Sequence, residues 1–159
     1  MLKRGVIRVV AIVAALLCMV GCATNSDSPT PSKDYGTLYF GEEAIPVNFV
    51  KVDDSEDWLM VLVSPLTNPL ELTTSAIFGL PKESLGKEMD VMYKFCRDDY
   101  VVIYEDPVCY YAPFRPLQSG TIKMSASTVG VNVEVDVVLY DGTPLRYSAK
   151  NLPDRKSVV

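Results

Sequence analysis

The sequence contains no histidine among its 159 residues. A Ser-His-Asp triad, a Cys-His pair and a zinc site with histidine ligands are therefore excluded within one chain, because each needs an imidazole. Basic residues are also scarce, since 15 Lys and Arg stand against 20 Asp and Glu and leave a formal charge of −5. Nucleic acid requires a positive protein surface. We therefore expect no nucleic-acid partner.

The sequence also lacks an apolar run long enough to cross a membrane. The longest run, residues 9–20, would reach about 18 Å as a helix against a hydrocarbon core of about 30 Å. Lys3, Arg4 and Arg8 precede it. A basic start followed by a short apolar segment is typical of a secretory signal peptide.

The apolar run ends in Met19-Val20-Gly21-Cys22, which resembles the lipobox of bacterial lipoproteins. The resemblance implies that the thiol of Cys22 carries lipid and that the peptide is cut in front of this residue. The attached acyl chains would then anchor the protein to a membrane. The alternative is an ordinary secretory signal that happens to contain cysteines.

The chain is expected to divide into a signal peptide (1–21), a lipidated cysteine with a flexible linker (22–35), an all-β domain (36–153) and a tail (154–159). The linker is small, polar and proline-bearing, so it has nothing to bury. Removal of the signal leaves 12 basic and 20 acidic residues, a charge of about −8. We expect the protein to be located in the bacterial cell envelope. Because Ala23, the residue after the lipidated cysteine, is not acidic, we expect it at the outer membrane.

Alternating apolar and polar residues predict β-strands throughout the body of the chain. The clearest alternation, at 131–140, follows a candidate strand at 121–126 and precedes another at 145–149. The Asp141-Gly142 pair between the last two is a strong turn signal. These three segments predict a C-terminal meander.

The upstream half predicts further short strands, one helical turn at 82–88 and a hairpin between 89–96 and 100–104. The total of eight or nine strands is typical of an all-β fold, either an antiparallel β-sandwich or a partly open barrel. The remaining predicted strands are 37–40, 45–52, 58–63 and 70–78.

Several of these segments resemble small secreted lipoproteins of Bacteroidetes-type bacteria. The similar segments are 38–41 and 47–50 near the start, and 119–124 and 136–142 near the end. Those proteins are all-β domains behind a lipobox and a short linker, and most lack an assigned function. The resemblance implies the same fold, and it carries over no catalytic or binding residue.

Cys96 and Cys109 are the two cysteines of the predicted domain. Outside the cytoplasm such a pair is expected to form a disulfide, and the alternative is two buried free thiols. A catalytic cysteine is not expected, since no histidine is present to activate it.

Acidic side chains are the main residues of this sequence that could catalyse hydrolysis or bind a metal ion. Residues 53–57 carry four carboxylates, which we interpret as a hairpin turn, with a calcium site as the alternative. Asp98-Asp99 and Glu105-Asp106 bracket a predicted strand. A glycosidase would need two such carboxyl groups about 5–10 Å apart. We expect no catalytic residue, metal or cofactor.

Aromatic residues form the last candidate site. Tyr110, Tyr111 and Phe114 lie beside Arg115 in a proline-rich stretch. Exposed rings on a rigid loop can stack on sugars or anchor a protein partner, whereas the alternative is that they fill the core. The other rings that would extend such a surface are Trp58, Tyr93 and Tyr104.

These features together predict a non-catalytic binding or structural domain held at the membrane by Cys22, with a glycan or a protein as partner. One alternative is a carbohydrate-active hydrolase that uses paired carboxylates. Another is a lipocalin-like carrier of a small ligand in an apolar cavity.

The lipid anchor is tested by metabolic labelling with palmitate in a bacterial host. We expect label on the wild-type chain and none on Cys22→Ser, because the thiol is the attachment point. Cys18→Ser, which changes the other cysteine of the signal region, is the matched control and should label normally. Label that persists in Cys22→Ser would contradict the lipobox interpretation.

Overall fold

The computed structural model describes residues 34–65, 75–92, 97–105 and 116–153. These residues form ten β-strands in two antiparallel sheets that are not closed into a barrel. The predicted all-β fold is confirmed, and of its two forms the β-sandwich is the one found. The helical turn expected at 82–88 is present as a short 3-10 turn over Lys82–Ser84.

One sheet has six strands and the other has four. The six-stranded sheet contains β1 (Thr37–Phe40), β2 (Glu43–Pro46), β6 (Glu88–Asp90), β8 (Leu117–Ser127), β9 (Gly130–Leu139) and β10 (Pro144–Leu152), in the spatial order β2-β1-β10-β9-β8-β6. The four-stranded sheet contains β3 (Phe49–Asp54), β4 (Trp58–Ser64), β5 (Ser75–Pro81) and β7 (Val101–Glu105), in the order β3-β4-β5-β7.

The C-terminal meander is confirmed as β8-β9-β10. The alternate residues of β9 from Val131 to Leu139 point into the core, and Glu134 and Asp136 point to the other side. At the turn into β10, the Asp141 carboxylate accepts a hydrogen bond from the Thr143 amide at 2.9 Å. Local alternation and turn chemistry therefore suffice to specify this part of the fold.

The single strand predicted at 45–52 is wrong, because the chain changes sheets inside it. The Val47 amide donates to the Gly36 carbonyl at 2.9 Å, on the side of the six-stranded sheet. The next amide, that of Asn48, donates to the Ser64 carbonyl of the four-stranded sheet at 3.0 Å. The segment is therefore divided between β2 and β3, which belong to different sheets.

The described residues of the hairpin predicted between 89–96 and 100–104, which are 89–92 and 100–104, do not pair with each other. Strand β6 pairs with β8 in the six-stranded sheet, whereas β7 pairs with β5 in the four-stranded sheet. The Tyr100 hydroxyl bonds to both the amide and the carbonyl of Met92, at 2.9 and 2.8 Å. A tyrosine side chain, rather than a strand ladder, therefore links these two stretches.

Aromatic rings connect the two sheets. The Phe40 ring of β1 stacks on Tyr104 of β7 with ring centroids 4.1 Å apart. Phe78 of β5 lies against Tyr147 of β10 at 5.6 Å. Such pairs add about 0.5–1.5 kcal/mol to the free energy gained by burying their area, and they help to fix how one sheet lies over the other.

Strands β4, β5 and β7 of the four-stranded sheet are buried on both faces, whereas the edge strand β3 is mostly half-buried. Every residue of β4 is buried, although only alternate ones belong to the cluster between the sheets. The side chains on the opposite face are 0–7% exposed and are Trp58, Met60, Leu62, Ile77, Val101 and Ile103. A strand buried on both faces loses the apolar-polar alternation, which explains the continuous apolar sequence of β4.

Tyr147 ties the start of the domain to its last strand. Its hydroxyl donates a hydrogen bond to the Tyr35 carbonyl at 2.8 Å, and its side chain is almost fully buried. Burial, reinforced by the negative charge of Asp34, raises the pKa of the Tyr147 hydroxyl well above its ordinary value of 10.0.

Tyr147→Phe should lower the free energy of unfolding by about 1 kcal/mol near pH 7, because a buried hydrogen bond is lost. The unfolded chain loses the tyrosine proton above about pH 10 while the folded chain retains it, so this residue's contribution decreases as the pH rises. The stability gap between wild type and Tyr147→Phe should therefore narrow between pH 8 and pH 10.5, measured by urea unfolding. A gap that stays constant or widens would contradict the raised pKa.

Candidate functional site

The six-stranded sheet has one side on the core and one side open to solvent. Its open side contains a groove of about 600 Å³ lined by residues of β1, β6, β8, β9 and β10. Side chains at alternate positions of these strands point into the groove, because successive residues of a strand face opposite sides of the sheet.

The first row of groove residues crosses the sheet in register. Tyr39 of β1 lies opposite Arg146 of β10, and Arg146 lies opposite Asp136 of β9. Asp136 in turn lies opposite Thr121 of β8, and Thr121 lies opposite Asp90 of β6. Tyr39 is 48% exposed although it is a large aromatic residue. This row therefore begins with an accessible ring and continues with charged and hydroxyl groups.

The second row lies two residues further along each strand. Ser148 of β10 pairs with Glu134 of β9, and Glu134 pairs with Lys123 of β8. Lys123 pairs with Glu88 of β6. Charges of opposite sign are therefore direct cross-strand neighbours, an arrangement that stabilises a sheet modestly. We refer to the residues of these two rows together as the polar face.

The dimensions of the polar face follow from sheet geometry. Adjacent strands lie about 4.8 Å apart, so the four intervals from β1 to β6 span about 19 Å. The two rows are separated by two residues along each strand, which is about 7 Å. The polar face is thus an elongated strip whose long direction runs across the strands.

One ion pair is observed within the polar face. The Arg146 Nε donates to the Asp136 Oδ1 at 3.1 Å, and both side chains are more than half exposed. Exposed pairs of this kind contribute only about 0–1 kcal/mol to stability. The fold therefore does not depend on this ion pair, and the side chains are free to exchange partners with a bound molecule.

The site residues predicted from the sequence lie in parts of the chain that the structure does not describe. Cys22, Cys96 and Cys109, and the aromatic group Tyr110, Tyr111, Phe114 and Arg115, all lie outside the described residues. Their lipidation, pairing and binding roles stay predictions.

Trp58 and Tyr104 do not extend an exposed aromatic surface. They are 7% and 4% exposed, and Tyr104 is stacked on Phe40 between the sheets. The core-filling alternative therefore applies to both rings, whereas Tyr93 lies outside the described residues.

The acidic groups likewise occupy structural positions. Residues 53–57 form the β3-β4 hairpin turn, in which Asp54 pairs with Lys82 at 2.7 Å. Asp99 precedes β7 and pairs with Arg97 at 3.4 Å, whereas Glu105 ends the same strand. The other carboxylate that was predicted beside it, Asp106, lies outside the described residues.

Among the described residues, no group of three or more carboxylates and cysteines has a geometry that could hold a metal ion. In the same part of the chain, no helix is both long enough and apolar enough to cross a membrane.

Strand alternation alone already marks most of the polar face. Glu134 and Asp136 are the polar partners of the buried valines of β9, and Lys123 alternates with Ile122 and Met124. What alternation cannot predict is that β1 and β6, far apart in sequence, flank the meander and bring Tyr39 and Glu88 to the same groove.

Comparison with protein-family models, curated proteins and solved structures finds no match to this chain. The chemistry of its function must therefore be argued from its own residues.

Proposed function

We propose that this chain is a membrane-tethered, non-catalytic binding domain that holds a polar extracytoplasmic ligand on the polar face. The observation that carries the proposal is the contrast between the two sheets. Strands β4, β5 and β7 of the four-stranded sheet are buried on both faces, whereas the six-stranded sheet exposes a polar groove that includes an accessible tyrosine ring. Tyrosine combines a flat apolar body with a polar tip, so an accessible ring beside charged side chains in a groove can contact a bound ligand.

The lipobox-like sequence supports the tethered part of the proposal. Residues 22–35 would span about 45–50 Å fully stretched and about 20 Å as a coil. A charge of about −8 after processing gives the protein itself no attraction to anionic lipid. The lipid on Cys22 would therefore be the anchor, and the linker would let the domain sample ligands near the envelope surface.

A hydrolase that uses carboxylates alone is the second candidate. Glu88 and Glu134 flank Lys123, two strands apart, which places their backbones about 10 Å from each other. That spacing is near the range of inverting glycosidases. An open strip with a groove on one side does little to exclude water, however, and catalytic carboxyls work best in a desolvated cleft. This contrast favours binding over hydrolysis.

A lipocalin-like carrier has less support. Such a carrier encloses its ligand in the mouth of a closed barrel. Here the two sheets are not closed, and the positions between them are occupied by side chains that are 0–7% exposed.

The proposal is tested by titrating the detergent-extracted full chain with soluble polysaccharides, soluble peptides and a fatty acid, followed by chromatography of the recovered ligand. We expect saturable binding of a polysaccharide or a peptide, with the ligand recovered intact. The double variant Tyr39→Ala/Arg146→Ala should abolish binding. Because its changes lie on an exposed face, it should alter the free energy of unfolding by no more than about 1 kcal/mol.

The matched control is Tyr140→Ala, which removes a ring that is 71% exposed and lies in the β9-β10 turn, outside the polar face. Its binding should equal that of wild type. Shortened ligand whose formation stops in Glu134→Gln would show the hydrolase instead. Fatty-acid binding that is equal in the wild type and the double variant would show the carrier instead.

A further inference from the structure

The geometry points to an uncharged glycan chain as the ligand of the polar face, bound across the strands with one sugar ring against Tyr39. This inference rests on the proposed function and specifies its ligand class. It depends on four features of the described residues: the balance of charge, the mixture of hydrogen-bonding groups, the placement of the aromatic ring, and the elongated shape of the polar face.

The balance of charge argues against a charged polymer. The polar face carries two cations, Lys123 and Arg146, and four carboxylates, Glu88, Asp90, Glu134 and Asp136. Lys123 has a carboxylate on either side in its row, and Arg146 is hydrogen-bonded to Asp136. A polyanion that approached either cation would also lie close to the neighbouring carboxylates. A polycation that approached the carboxylates would lie close to Lys123 and Arg146. Like charges brought together in this way oppose binding.

The mixture of polar groups suits hydroxyl ligands. Carboxylates only accept hydrogen bonds, whereas Lys123 and Arg146 only donate them. Thr121 and Ser148 can do both. A sugar hydroxyl donates one hydrogen bond and accepts others, so neighbouring hydroxyls can bridge a carboxylate and the adjacent cation. Hydrogen bonds to charged groups are about twice as strong as neutral ones, which favours such bridging.

The placement of Tyr39 supplies an apolar platform. The ring lies on β1, beside Arg146 in register. One face of a pyranose ring presents C–H groups, which pack on an aromatic ring while the hydroxyls point outward along its edge. Tyrosine suits this role because it combines a flat apolar body with a polar tip. A sugar stacked on Tyr39 would thus direct its hydroxyls toward the neighbouring charged residues.

The shape of the polar face indicates a chain rather than a single sugar. The strip of about 19 Å is longer than one sugar ring and its residues repeat at the strand spacing of about 4.8 Å. A glycan lying along the rows would contact one strand after another, from Tyr39 on β1 toward Glu88 on β6. Loss of the ring at one end should therefore weaken binding, and loss of a charge in the middle should weaken it as well.

The inference is tested by native affinity electrophoresis of the full chain in detergent. The gels contain pullulan, laminarin, galactomannan or xyloglucan as uncharged probes, polygalacturonate as the anionic probe and chitosan as the cationic probe. We expect at least one uncharged probe to retard the chain and the two charged probes to retard it less. Tyr39→Ala and Lys123→Ala should each weaken that retardation about tenfold, which corresponds to about 1.4 kcal/mol, while Tyr140→Ala should leave it unchanged.

The outcomes separate this inference from the proposed function. Stronger retardation by polygalacturonate or chitosan, or binding only of a soluble peptide, with sensitivity to Tyr39→Ala, would overturn the glycan inference and leave the polar face as a binding site. Retardation that is equal in wild type, Tyr39→Ala and Lys123→Ala would overturn both. Retardation by none of the six polysaccharides would overturn the glycan inference.

Discussion

The double burial of the four-stranded sheet is the constraint on which the rest of the structure depends. One face of that sheet packs on the six-stranded sheet through the Phe40–Tyr104 and Phe78–Tyr147 contacts. The other face is buried as well. Burial of apolar surface stabilises a fold by about 25 cal/mol per Å², and most strands of this sheet bury apolar side chains on both sides. The six-stranded sheet is thereby left with one solvent-exposed side, whose residues are not needed for the core.

This division explains the chemistry of the polar face. Exposed ion pairs contribute little to stability, so residues such as Arg146, Asp136 and Lys123 are not constrained by folding. They repeat in two rows only because β8, β9 and β10 pair in register. The rigid meander therefore presents fixed spacings of donors and acceptors, and a scaffold that fixes its polar groups in advance loses less entropy when it binds.

The sequence predicts the local parts of this arrangement well and its long-range parts poorly. The meander follows from alternation and from the Asp141-Gly142 turn, because each partner strand is next along the chain. The change of sheets between Val47 and Asn48 could not be predicted, since it depends on two carbonyl acceptors distant in sequence. The three residues of β6 are similar, because only pairing with β8 across the fold makes them a strand. Within the candidate site, Tyr39 on β1 and Glu88 on β6 depend on such long-range neighbours.

The chain is proposed to bind its ligand on the polar face and to leave that ligand chemically unchanged. Backbone amide shifts of the isotope-labelled full chain in detergent, recorded during titration with the uncharged polysaccharide that retards it most, test this claim directly. We predict that the largest changes map to Tyr39, Arg146 and Lys123 and that the ligand spectrum at saturation still shows the intact polymer. Changes centred on the 53–57 turn or on the four-stranded sheet, or the appearance of shorter saccharides, would contradict it.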